Sequence, residues 1–337
     1  MSLPNQTKKY ISVCATMLTF GAALSPSYSN AAGEVNKTVT KDTTINVNQN
    51  VVVFSGRMSL GLLNGESGEY VNLTDISHRL SQLTWKLDNV YMLGFGGSVA
   101  PLPWLKFNAD ISFKLNNGNG VMDDYDWMTL STDWSDWSHH ENVDLKTGWM
   151  LDLNSEMVFY KWEGNRFFLT VGFKYDDWKW QVHGGDFIYS TFDTSRDMVG
   201  SFPDDALAIT YEQKYYTPYI GIGFSSDLNP TPITFSGRII GSTFAFGEST
   251  DQHHMRDLVS EDKYNSGQML GVDLAGAYNF TKNFSLMLSY HYQVYKNFED
   301  DAHRKDLTTG VTTTYTSAQD SMDHHSDMFS VSAIVNF

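Results

Sequence analysis

Phe284-Ser285-Leu286-Met287-Leu288-Ser289-Tyr290-His291-Tyr292-Gln293-Val294 decides the fold. Phe284, Leu286, Leu288, Tyr290, Tyr292 and Val294 share one face, and the other face is mostly Ser, His and Gln. That period of two belongs to a β-strand with one apolar and one polar side. The segment 166–174 repeats it, with Phe167, Leu169, Val171 and Phe173 on one face. So does 219–224, where Ile220, Ile222 and Phe224 oppose Tyr219, Gly221 and Gly223. Alternation alone fits either a soluble sandwich, apolar side inward, or a membrane barrel, apolar side outward.

Three further features select the barrel. Aromatic residues make up 14% of the chain and cluster near strand ends, as interfacial girdles require. The chain closes on Ser330-Val331-Ser332-Ala333-Ile334-Val335-Asn336-Phe337, an alternating strand ending in Phe that resembles the assembly signal of bacterial outer-membrane barrels. Connections also alternate in length. Short ones are expected near 100–103, 163–165, 228–232 and 281–283, and long ones near 64–78, 115–146, 183–208, 246–263 and 297–326. The expected fold is all-β: a ten-stranded antiparallel transmembrane β-barrel with short periplasmic turns and long extracellular loops. Several strands exceed the roughly 9–11 residues of a tilted span, so the barrel should project above the membrane.

The N-terminus reads as a signal peptide over residues 1–31. Lys8 and Lys9 form its basic region, Tyr10 to Leu24 its apolar stretch, and Ser29-Asn30-Ala31 its cleavage site. Residues 32–50 are expected to be a periplasmic segment, and 51–337 a single barrel domain without linker or repeat. The one cysteine, Cys14, falls in the signal peptide, which excludes disulfides and thiolate metal sites from the mature chain. The net charge of −16 becomes more negative once Lys8 and Lys9 leave. It argues against nucleic acid and favours cationic substrates. No 18-residue apolar run follows, which excludes a helical membrane protein.

Two acidic clusters carry the chemistry. Asp124-Tyr125-Asp126 falls in the second long loop, and Asp251-Gln252-His253 in the fourth. Both loops lie on one side of the membrane, and residues i and i+2 of an extended segment point the same way. Two carboxylates could thus face an Asp–imidazole pair. His253 can take a proton from water near neutral pH, with Asp251 orienting the ring. Two close carboxylates repel, so one tends to keep a proton for the product side. No serine or cysteine nucleophile is required, and no cofactor is expected. Two other readings stay open from these residues alone: metal binding by His139-His140, His253-His254 and His324-His325, or solvated acidic loops. Adjacent histidines of a strand face opposite ways, which makes such pairs poor chelates, and no metal is expected.

At these residues the chain resembles the omptin family of outer-membrane aspartyl-type proteases, over essentially the whole mature sequence. Val121-Met122-Asp123-Asp124-Tyr125-Asp126-Trp127-Met128 is similar to the family's carboxylate segment. Trp134-Ser135-Asp136-Trp137-Ser138-His139-His140 is similar to a second signature, with Glu141 where the family has Pro. Ser81-Gln82-Leu83-Thr84-Trp85-Lys86, Gly184-Gly185 with Ile188-Tyr189-Ser190, Gly200-Ser201-Phe202-Pro203 and Pro218-Tyr219-Ile220-Gly221 match further blocks.

The resemblance implies an outer-membrane endopeptidase, most simply a monomer, with its site on the extracellular side. Its attacking water lies between the couple Asp124/Asp126 and the dyad Asp251–His253, and it cuts peptide or protein chains next to basic residues. It places one substrate-binding acid on Glu69 and the second on Ser249, a departure; Glu248 next door faces the other way. It also implies lipopolysaccharide as an activator. Its aromatic, Glu and Arg positions read Phe173, Tyr175 and Asp177 here, while Lys214 matches another basic position and Lys263 lies near a third. An acid at Asp177 repels lipid A phosphate, so lipid dependence is expected to change or to use Lys179 and Lys214. The rival reading is a non-catalytic barrel, an adhesin or a small pore, although ten strands leave little room for a pore.

Overall fold

The computed structural model describes residues 52–76, 78–130, 133–191 and 194–337. The signal peptide and the 32–50 segment lie outside the described residues. The strands are β1 (Val53–Leu73), β2 (His78–Leu102), β3 (Leu105–Lys114), β4 (Met122–Asp126), β5 (Asp136–His140), β6 (Asn142–Trp162) and β7 (Asn165–Tyr189). They continue with β8 (Met198–Asp227), β9 (Ile233–Ser242), β10 (Phe246–His253), β11 (Leu258–Tyr264), β12 (Gln268–Asn279), β13 (Phe284–Asp306) and β14 (Thr312–Asn336).

These segments build one antiparallel ring of ten staves. At the periplasmic level the order is β14–β1–β2–β3–β6–β7–β8–β9–β12–β13, and β13 pairs back with β14. Higher up, β4 and β5 take the places of β3 and β6 between β2 and β7. Likewise β10 and β11 take the places of β9 and β12 between β8 and β13. Four staves are therefore broken in the middle. At the first break the stretch Asn116-Asn117-Gly118-Asn119-Gly120 steps out of register, with Gly118 at φ +72°. The edge of β2 is not left bare there. Asn116 Oδ1 accepts from the Tyr91 N–H at 2.8 Å, and the Asn119 N–H donates to the Asp88 carbonyl at 2.8 Å.

The alternation resolves in favour of the barrel because its apolar face is the outer one. Leu288 is 66% exposed, whereas Gln293 of the same strand is fully buried. Ile220 is 69% exposed beside buried Tyr219. Phe167, Leu169, Val171, Phe329 and Val331 continue the outward belt. In a water-soluble sheet these faces would be reversed; a lipid-facing wall accounts for them. Inside the wall, Arg238 is paired with Asp152 and Asp273, Tyr219 donates to Asp152 at 2.6 Å, and Arg57 is paired with Asp110. Buried charge is thus neutralised pairwise, as its desolvation demands.

All four expected short turns are where the sequence puts them, after Leu102, Trp162, Asp227 and Asn279. The five long loops need correction. Strand pairing continues through most of them: β1 runs on to Leu73, β7 to Tyr189, and β13 and β14 pair as far as Lys305 and Thr312. Above the apolar belt neither face meets lipid, so the hydrophobic alternation that marks a strand fades while its hydrogen bonds persist.

Candidate active site

Asp124 and Asp126 were expected in a loop and stand instead on β4, with Met122, Asp124 and Asp126 pointing inward and Asp123 and Tyr125 outward. β4 is held in register on both sides, Asp124 opposite Leu83 of β2 and Ser138 of β5. Asp251 and His253 likewise stand on a strand, β10, opposite Tyr211 and Ile209 of β8. Three staves of the ten, β5, β7 and β8, lie between β4 and β10 along the shorter arc, so the clusters face one another across the lumen. Leu83 lies about 19 residues up β2 from the turn after Leu102, roughly 50 Å for a tilted strand against an apolar band of about 25 Å. The site therefore stands clear of the membrane.

A cluster of buried aromatic rings adjoins it. Trp85 stacks on Tyr211 at 5.2 Å and meets Trp180 at 5.8 Å, and Tyr215 stacks on Tyr295 at 4.2 Å. These rings are fully buried and so keep water from the space they fill.

The dyad is formed: His253 Nε2 lies 2.6 Å from Asp251 Oδ2. The carboxylates opposite are nearly shut off from water, Asp124 8% and Asp126 9% exposed. Asp124 Oδ1 and Asp251 Oδ1 are buried without a hydrogen-bond partner. Burial, reinforced by the charge of Asp126, pushes Asp124 up to about 8, with His253 and Arg256 pulling against it. Burial also raises Asp126, although a hydrogen bond with Ser81 and the charge of Arg256 oppose it. Burial alone would lower His253, but the charge and hydrogen bond of Asp251 outweigh it and raise the imidazole above its ordinary value. The arrangement is a carboxylate couple that holds a proton opposite an imidazole whose partner stabilises its charged form.

Arg256 is the residue that sequence reasoning missed. It sits on a single 3₁₀ turn, His254–Arg256, at the tip of the β10–β11 hairpin, and its charge bears on both carboxylates of the couple. Its place three residues after His253 is the only trace it leaves in the sequence.

The positions expected to bind substrate, Glu69 and Ser249, also face inward. Glu69 of β1 is 8% exposed. Burial, then the charges of Asp251 and Asp320, hold it well above the usual carboxylate range. Ser249 is buried on the lumen side of β10, its Oγ 3.1 Å from the Tyr264 hydroxyl. Glu248 does face outward, near the Tyr216 hydroxyl at 3.4 Å.

On the outer wall Lys214 and Lys263 flank Glu248 in adjacent strands. Lys214 Nζ is 3.1 Å from Glu212, and Lys179 Nζ is 4.0 Å from the same carboxylate. Asp177 is covered by Trp149 and Tyr175, which donate to it at 3.2 and 3.3 Å.

The histidine pairs divide between faces. His139 meets Asp123 at 2.8 Å, whereas His140 points inward to the Gly184 carbonyl at 2.6 Å. His324 is enclosed by Ser67 and Ser326 at 2.8 and 3.1 Å. Among the described residues no three His, Cys, Asp or Glu side chains form a metal-sized cluster.

A lipid-facing ten-stave barrel with a dry acidic centre above the membrane defines an outer-membrane barrel built around a polar site at its outer mouth. The family model described as the omptin family matches residues 27–336, and the chain belongs to that family. Its relatives include the plasminogen activator of Yersinia pestis, 27% identical over 90% of this chain and 91% of the relative. The outer membrane protease OmpP of Escherichia coli K12 is 29% identical over 67% of this chain and 72% of its own. The crystal structure of outer membrane protease OmpT from Escherichia coli superposes with a TM-score of 0.78 at 22% identity, covering 85% of this chain and 97% of that one, which confirms the fold.

Proposed function

We propose that this outer-membrane protease hydrolyses peptide bonds next to basic residues, using a water held between Asp124/Asp126 and Asp251–His253. The observation that supports it is the 2.6 Å Asp251–His253 pair facing a buried carboxylate couple. With Nε2 engaged by Asp251, Nδ1 is the ring nitrogen left for the water. As His253 takes the water's proton, the oxygen bonds to the scissile carbonyl carbon and Asp251 stabilises the imidazolium. The proton kept by the couple is delivered to the amine nitrogen as the C–N bond breaks. The pair thus works as acid opposite base, the raised carboxyl being the acid.

Preference for basic residues is assigned to Glu69, whose carboxylate is buried within reach of Asp251's charge. Lipopolysaccharide contact is assigned to Lys214 and Lys263 on the outer wall, with Asp177 weakening the phosphate site.

The test is cleavage of a fluorogenic peptide with paired basic residues. Asp124→Ala and His253→Ala should each lower kcat/KM by roughly 10²–10⁴-fold. Parent-like cleavage by both variants removes the mechanism. A parent that cleaves nothing but conducts ions in a bilayer is the pore of the rival reading.

A further inference from the structure

The acid absent at Ser249 has a replacement one strand away. In the β10–β11 hairpin, Ser249 lies opposite Asp262. Asp262 is 3% exposed and points into the same space as Glu69 of β1 and Asp320 of β14. Three carboxylates from three staves therefore converge beside the dyad.

The partners of these groups are unequal. Arg304 of β13 grips Asp320 at two points, Nη1 to Oδ2 at 2.5 Å and Nη2 to Oδ1 at 3.0 Å. Ser260 Oγ is 2.7 Å from Asp262 Oδ2 and accepts from Arg304 at 2.7 Å. His303 Nδ1 is 3.2 Å from Asp262 Oδ1. Glu69 Oε2 has none of this: it is buried and makes no hydrogen bond. An unsatisfied buried carboxylate oxygen is costly unless a donor arrives with the ligand. Counting charges, three carboxylates against one guanidinium leave two negative charges when ionised, the same as a pocket of two acids.

We propose that Glu69, Asp262 and Asp320 form the pocket for a lysine or arginine on the N-terminal side of the cut bond, Asp262 replacing the acid missing at Ser249. Arg304 is its internal counter-ion, fixing Asp320 and leaving Glu69 and Asp262 to meet one incoming cation. This rests on the endopeptidase reading above. Burial, then Asp320, raises Asp262 to about 7, with Ser260 and Arg304 opposing. A bound cation would draw that proton off.

The experiment compares two peptides that differ only in arginine or norleucine before the cut bond. The readout is the ratio of their kcat/KM values. Asp262→Asn should lower that ratio by about tenfold or more, since it removes a buried partner of the substrate charge. Adding Ser249→Asp to the same variant should restore it to within about threefold, because the charge returns to the pocket from the facing strand; a structural role for Asp262 would not be rescued so. An unchanged ratio in Asp262→Asn, or no rescue in a folded double variant, overturns the pocket while leaving the endopeptidase in place. A parent that cuts neither peptide overturns the endopeptidase reading, and a parent that cuts both equally overturns its basic preference; either takes the pocket with it.

Discussion

Asp124 and His253 are each pushed away from their ordinary ionisation, and both shifts are upward. His253 stays protonated to a higher pH than a free imidazole, so its capacity to take a proton is lost as pH falls through that raised value. Asp124 keeps its proton up to about 8, so the acid function is lost as pH rises past it. Activity should form a narrow bell, its rising limb above the ordinary imidazole value and its falling limb near about 8. A kcat/KM that climbs steadily to about pH 10 would take the couple's proton out of the mechanism. At this scale the sequence was informative where spacing itself is the signal. Asp124/Asp126 and Asp251/His253 are i, i+2 pairs, and a strand turns that spacing into a shared direction. Asp262 and Asp320 were illegible because their meaning lies in cross-strand register, which no local pattern records.

At the scale of elements, both pairs proposed as catalytic ride on inserted hairpins, β4–β5 and β10–β11, above broken staves. What holds the first hairpin is the kink in β7 at Gly184 and Gly185, with φ of +60° and +116°. That kink brings the Gly184 carbonyl to His140, whose Nε2 is 3.0 Å from Ser138 Oγ, and Ser138 lies opposite Asp124. A Cβ at Gly185 would stand 2.3 Å from the His140 ring and force a left-handed φ on an L-residue. Gly185→Ala should therefore cost about 1–3 kcal/mol of stability and lower kcat through a displaced β5. Thermal unfolding and cleavage on the same preparation check this; a variant equal to the parent in both denies the kink its role. The turns were legible because Pro, Gly and Asn mark them. The upper strands were not, because there the contrast between lipid and lumen that writes hydrophobicity into a sequence is gone.

At the largest scale, the described barrel faces lipid, and the full sequence carries a net charge of −16. A charge of that sign attracts cations and repels anions. In the proposed lipopolysaccharide contact, phosphate would meet few cations on the outer wall. Lys214 is already shared with Glu212, and Lys263 lies across from Glu248. Replacing Lys214 and Lys263 together by alanine should reduce any stimulation of cleavage by added lipopolysaccharide by about threefold or more, given the phosphate's dependence on paired charge. Stimulation equal to the parent's would move the lipid contact elsewhere on the wall.

The closed ring has a consequence for what this architecture can become. The proposed acid and base sit on staves nearly opposite each other, so the gap between them follows the bore of the barrel, which is set by the number of staves. More staves would widen that gap and fewer would narrow it. Loops and pockets around the rim are free to drift toward new substrates, as the proposed move of an acid from one strand to its neighbour would illustrate. The stave count is not, because it is the gauge to which the chemistry is cut.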